Sequence, residues 1–247
     1  MSARSLPSRD YPPAPGVTLV EGGAEVCVYA GRADSVQLCL FDQGDRRGES
    51  ERRIALPERL FGHWFGFVPG LGHGQRYGLR AHGPWAPHDG LRYNPHKLLL
   101  DPYARAVEGE LTWSPAVFGH RAGPDLRPED LYRADERDSA AYVPRGVIVR
   151  DDFDWGDDRP PAHAMSASVV YETHVRNLTM RLPQVPDHLR GTYAGLAHPV
   201  TIDYLSRLGV TAVELLPVHS FVTEPEVWRR GLTNHWGYNT LNVFVPE

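Results

Sequence analysis

Lysine is almost missing from this 247-residue chain: of its 26 basic residues only Lys97 is lysine, and the rest are arginine. The arginines are scattered rather than clustered, so they read as the mark of a GC-rich genome and not as a phosphate-binding patch. Basic charge is also short overall, with a formal net charge of −5. That leaves nucleic acid and anionic membrane surfaces as poor partners and keeps neutral polar ligands open. No apolar run approaches the roughly eighteen residues of a membrane span. The N-terminal MSARSLPSRDYPPAPG has no hydrophobic signal core, so a cytoplasmic setting is the default expectation.

Cysteine is nearly as scarce. Cys27 and Cys39 are too few for a disulfide scaffold and lack zinc-ligand spacing. Glycine-rich phosphate loops are absent as well, in both the GxGxxG and the GxxxxGK[ST] forms, so nucleotide binding has no support. His82, His88 and His96 are spread through proline-rich sequence in no compact ligand pattern. The acidic run 150–158 (RDDFDWGDD) lacks the spacing of a calcium loop and reads as a solvated connector. Neither a cofactor nor a metal is expected.

What is present begins with short strands. Segments 24–30 (AEVCVYA), 36–42 (VQLCLFD), 63–69 (HWFGFVP) and 75–82 (QRYGLRAH) are β-branched and aromatic and are separated by glycine and proline turns. Regularly spaced strands of this kind predict a β-sandwich over 10–105. The first two segments read as a hairpin, which would set Cys27 opposite Cys39 as packed free thiols. Residues 83–103 (GPWAPHDGLRYNPHKLLLDPY) suit a packed loop closing the sandwich. Residues 106–165 are polar and proline-rich and read as a connector.

The pattern changes at 166–247. Segment 167–175 (ASVVYETHV) suits a buried strand, 199–209 (PVTIDYLSRLG) a helix with Val200, Ile202, Tyr204, Leu205 and Leu208 along one face, and 210–218 (VTAVELLPV) a second strand. Pro199 fits the first helical turn and Gly209 the C-cap. Strand, crossover helix and strand make one βαβ unit. An eight-unit barrel needs roughly 250 residues, so the expectation is the truncated start of a TIM (β/α)8 barrel in a piece of a longer protein.

Four segments carry a resemblance: YETHVRNLTM at 171–180, GTYAGLAH at 191–198, LGVTAVELLPVHSFV at 208–222 and NHWGYNT at 234–240. In this order they closely resemble the bacterial glycogen debranching enzymes, isoamylase-type members of the α-amylase family, glycoside hydrolase family thirteen. Tyr29 to Leu40, Trp64 to Pro69 and YNPHKLLLDPY at 93–103 look like the family-forty-eight carbohydrate-binding module that precedes the barrel, an immunoglobulin-like sandwich. The resemblance implies retaining hydrolysis of α-1,6 branches in glycogen or limit dextrin, with glycogen or a branched α-glucan as partner. It places the nucleophilic aspartate, the acid/base glutamate and a second aspartate at the ends of the fourth, fifth and seventh barrel strands, beyond Glu247. The chain by itself is therefore expected to be inactive.

Glu172 and Glu214 lie within the two strands instead of at their C-terminal ends, where barrel chemistry occurs, so both read as structural groups of a barrel interior. The resemblance transfers a sugar-stacking role to Tyr238, with Trp236 shaping the same pocket and His219 in reach of a hydroxyl. In the module, Trp64 and Trp85 are the candidate sugar platforms, but packing against the barrel is the favoured role. Two alternatives stay open: a noncatalytic glycan-binding protein with a barrel remnant, and a branching or trehalose-forming relative.

Overall fold

The structure is a computed structural model describing residues 2–6, 10–45, 47–123 and 127–247. Two compact units divide it, residues 1–151 with 242–245 and residues 152–241 with 246–247.

The first unit contains β1 (Gly16–Val20), β2 (Gly23–Tyr29), β3 (Ser35–Phe41), β4 (Arg52–Ala55), β5 (Glu58–Leu60), β6 (His63–Pro69) and β7 (Arg76–His82). It continues with the short strands β8 (Trp85–Ala86), β9 (Leu91–Arg92), β10 (Val107–Glu108) and β11 (Arg145–Val147). Two antiparallel sheets result, ordered β1-β2-β6-β5 and β10-β11-β7-β3-β4. Alternate residues from both enter one core: Ala24, Val26 and Val28 from β2, Val36, Leu38 and Leu40 from β3, Tyr77, Leu79 and Ala81 from β7. Side chains on a strand alternate between faces, so this period of two is what two stacked sheets require.

The expected hairpin between 24–30 and 36–42 does not form. β2 pairs with β1 and β6, whereas β3 pairs with β4 and β7. Cys27 stands opposite Phe65 and Gly16, and Cys39 opposite Gly78 and Arg53. The physical reason lies in burial: nearly every residue of both strands is covered. A strand buried on both faces needs layers on each side, which a two-stranded ribbon with a wet face does not offer. The link instead crosses between sheets, Ala30 N donating to Gly62 O and Asp34 N to His82 O.

A second correction concerns 106–165. Residues 107–108 and 145–147 are built into the sandwich: β10 pairs with β11, and β11 with β7. Gly146 fits there because a Cβ would meet the Tyr77 ring at 2.8 Å. Polar groups hold the intervening loop. The Lys97 ammonium donates to Asp135 Oδ1 at 3.0 Å, Ala116 O at 2.8 Å and Arg137 O at 2.6 Å. Asn94 Nδ2 donates to Gly119 O and Asp135 O. Leu98, from the predicted closing loop, packs with Cys39, Phe41 and Ala140 on the outer face of the five-stranded sheet.

The second unit holds β12 (Val170–Thr173), α1 (Val175–Thr179), α2 (Tyr193–Leu196), α3 (Pro199–Arg207), β13 (Ala212–Leu215) and α4 (Pro225–Arg229). β12 and β13 pair in parallel with Val170 opposite Ala212 and Glu172 opposite Glu214. α3 starts at Pro199 after a His198 cap and is followed by Gly209 at φ +76°, as the sequence pattern predicts. Its face is only partly covered: Thr201 and Leu205 are buried, while Ile202, Tyr204 and Leu208 stay exposed. Glu172 and Glu214 are neighbours, but both are exposed rather than buried structural groups. Like charges opposed across a strand pair repel one another.

Candidate functional site

The parallel pair fixes where chemistry-bearing loops gather. The chain leaves β12 at Thr173 and β13 at Leu215, so His174 and the 216–224 loop project from the C-terminal strand ends, the side on which β/α units build their sites. Here a cavity of about 320 Å³ is lined by His174, Arg176, Tyr193, Phe221, Asn234, His235 and others.

His174 is both a strand end and a helix cap. Its Nδ1 accepts the Arg176 backbone N–H at 3.1 Å, an N-cap bond that satisfies an otherwise orphan donor of α1. With Nδ1 accepting, the ring proton sits on Nε2, which donates to His235 O at 2.9 Å. The two imidazoles stack with centroids 4.7 Å apart and planes 7° off parallel. The Trp236 ring stands edge-on to both, 5.8 Å from His174 and 5.1 Å from His235. His235 Nε2 also bonds Asn177 Oδ1 of α1 at 3.1 Å.

Asn234 shapes the loop that follows. Its Oδ1 accepts the N–H groups of Trp236 and Gly237, an Asx-type turn, and its Nδ2 donates to Val222 O and Glu224 Oε1. Gly237 has φ +77° and is packed so closely that a Cβ would meet Phe221 at 3.1 Å and Pro217 at 3.2 Å. A side chain is therefore excluded at the turn, and Tyr238 is carried outward with 71% of its surface exposed. Tyr193 donates from its hydroxyl to Val218 O at 3.1 Å. Burial, with the Glu247 carboxylate adding to it, pushes its phenol pKa up.

The expected site residues fall unevenly on this arrangement. Trp236 sits on the stacked histidines and Tyr238 is two residues beyond it. His219 is exposed and bridges the backbone of Pro246, outside the cavity lining. His174, Tyr193, Asn234 and His235 were not singled out from sequence. The sequence pattern places His174 inside the strand expected at 167–175; the observed β12 ends at Thr173, which puts His174 at the strand end. Among the lining residues only Glu247 is a carboxylate, so the cavity offers aromatic faces and hydrogen-bonding groups without a pair of acids.

In the first unit, Trp64 is half-buried against the core, its Nε1 donating to Ala30 O at 3.2 Å and the Arg59 guanidinium lying over its ring at 5.5 Å. Trp85 is fixed by a 2.7 Å bond from Nε1 to Tyr132 O. Both indoles are half-buried. A separate cavity of about 640 Å³ is lined by Tyr29, Arg32, Leu79, Arg92, Tyr93, Leu99 and neighbours.

Comparison with known proteins defines the class first. Residues 15–104, most of the sandwich, match carbohydrate-binding module 48, the isoamylase N-terminal domain. The chain as a whole is a homologue of bacterial glycogen debranching enzymes. It is 45% identical to one from Erwinia tasmaniensis over 243 residues, covering 98% of this chain and 35% of that protein. Against one from Salmonella schwarzengrund it is 46% identical over 230 residues, covering 93% of this chain and 33% of that protein. The chain thus spans about a third of the length of these curated relatives. Among solved structures, the pullulanase of Bacillus acidopullulyticus aligns at a TM-score of 0.65 and 24% identity, over 98% of this chain and 26% of that one. Pullulanase type I of Bacillus subtilis, complexed with maltose, aligns at 0.64 and 22%, over 96% and 28%.

Proposed function

We propose that this chain supplies the carbohydrate-binding module and the first βαβ part, residues 166–247, of a (β/α)8 hydrolase that cleaves α-1,6 branch linkages of glycogen or its limit dextrin. The observation that carries the reading is the 45% identity running through both units to a protein named for glycogen debranching. Retaining hydrolysis of such a bond needs two carboxyl groups roughly 5 to 5.5 Å apart. The strand-end cavity has Glu247 alone, so the chain's own part is to bind and orient sugar, and the acids belong to other strands.

Tyr238 is the proposed sugar contact. An exposed phenol ring offers a flat apolar face to the C–H face of a pyranose, and its hydroxyl remains available to solvent or substrate. Trp236 holds that loop, and His219 is the outlying polar contact. The partner is a branched α-glucan. A cytoplasmic, reducing setting is part of the proposal, in keeping with two buried free thiols.

Calorimetric titration of maltohexaose into the chain tests the site. Wild type is expected to bind, and Tyr238→Ala to bind about tenfold more weakly, equivalent to about 1.4 kcal/mol. Equal affinity of the two proteins would move the sugar site away from the strand ends.

A further inference from the structure

The Asn234–Tyr238 loop is tied to the end of β12 through one imidazole. His174 spends both ring nitrogens, accepting from Arg176 N at 3.1 Å and donating to His235 O at 2.9 Å. Only the neutral ring protonated on Nε2 serves both bonds, since the cap needs a lone pair on Nδ1 and the carbonyl needs a donor. Stacking at 4.7 Å then fixes the plane of His235, whose Nε2 bonds Asn177 of α1. Trp236 packs edge-on against both rings, and the next two residues are the buried turn glycine and the exposed tyrosine.

We propose that His174 is a positioning residue for glucan binding: as the Nε2–H tautomer it locks the Asn234–Tyr238 loop to the C-terminal end of β12 and so sets the stance of the Tyr238 ring. The role rests on the glucan-binding function proposed above. It differs from helix capping alone. A cap needs one acceptor near the Arg176 N–H, which asparagine supplies; the lock needs in addition a donor long enough to reach His235 O, which asparagine lacks.

His174→Asn in the full chain therefore separates the two roles. The readouts are the Trp236 indole N–H resonance, assigned with Trp236→Phe, and maltohexaose affinity. His174→Asn is expected to retain amide protection in α1, to shift or broaden the Trp236 resonance, and to weaken maltohexaose about tenfold, or about 1.4 kcal/mol. If the variant restores both the wild-type resonance and the wild-type affinity, His174 is a helix cap only and the positioning role is overturned. Nitrogen shifts of the wild-type imidazole give a measurement independent of the variant's folding. They are expected to report the Nε2–H tautomer with a slowly exchanging proton, and an Nδ1–H tautomer or a fast-exchanging Nε2 proton overturns the lock. Should wild type bind no maltohexaose, the glucan reading fails by itself, and the lock is judged on the tautomer and the Trp236 resonance.

Discussion

Arg80 grips Glu51 with two hydrogen bonds, Nε to Oε1 at 2.6 Å and Nη2 to Oε2 at 2.7 Å, from a side chain with no solvent exposure. The same guanidinium bonds both oxygens of Asp138 at 2.9 Å and donates to Pro95 O. One buried cation thus joins β7 to the residue before β4 and to the loop preceding β11. Removing one partner of a buried pair leaves the other charge uncompensated. Arg80→Met is expected to lower the unfolding free energy of the first unit by about 3 kcal/mol, read from urea denaturation; a loss under about 1 kcal/mol would show the network to behave like a surface pair.

Acid should weaken the same unit. Burial pushes the Glu51 carboxyl up, but hydrogen bonds from Arg80 and Arg53 outweigh it and bring its pKa from 4.5 down to about 2. Burial likewise pushes the Asp135 carboxyl up, but hydrogen bonds from Arg137 and Lys97 outweigh it and bring its pKa from 3.8 down to about 2. A carboxyl depressed in the folded state stabilises above its unfolded pKa, and that contribution is lost as pH falls through the folded value. The urea midpoint should therefore drop between pH 4.5 and about 2, with a smaller drop in Glu51→Gln. A wild-type midpoint that is flat across this window contradicts the linkage.

Lys97 should be chemically silent in the native protein. Its ammonium is buried with three oxygen partners, so acetic anhydride should leave Lys97 unmodified in buffer and acetylate it in concentrated urea, as followed by peptide mass mapping. Acetylation of Lys97 at the same rate in both conditions would mean that Ala116, Asp135 and Arg137 do not close over it.

The two thiols should behave as separate buried groups. Burial foremost, then the Asp101 and Glu25 charges, push Cys27 up to about 11; burial also pushes Cys39 well up. Thiolate is the reactive form, so a thiol reagent at pH 8 should titrate neither cysteine in the native chain and both after denaturation. Formation of an intramolecular disulfide on mild oxidation would contradict their placement in different sheets.

Much of this architecture was legible from local pattern. α3 was marked by Pro199 and Gly209, and four sandwich strands by alternating apolar residues near the observed bounds. Strand pairing was not legible, because β2 and β3 are buried on both faces and a fully apolar run does not say which neighbour it takes. Nor was the sheet membership of 107–108 and 145–147, where Lys97, Asp135, Arg80 and Asp138 do the holding that apolar periodicity would otherwise advertise. At the site, the NHWGYNT segment drew attention to Trp236 and Tyr238. The His174–His235 stack joins residues 61 positions apart, a long-range juxtaposition that local pattern does not reveal.

The function proposed above gives this chain a part in α-1,6 branch hydrolysis. The most direct measurement is release of reducing ends from phosphorylase-limit dextrin by the chain alone and by the chain joined to the remaining two thirds of the Erwinia tasmaniensis relative. The account predicts no release by the chain alone and debranching by the joined protein, reduced by Tyr238→Ala. Hydrolysis by the chain alone, or a joined protein that cleaves only unbranched amylose, would contradict it.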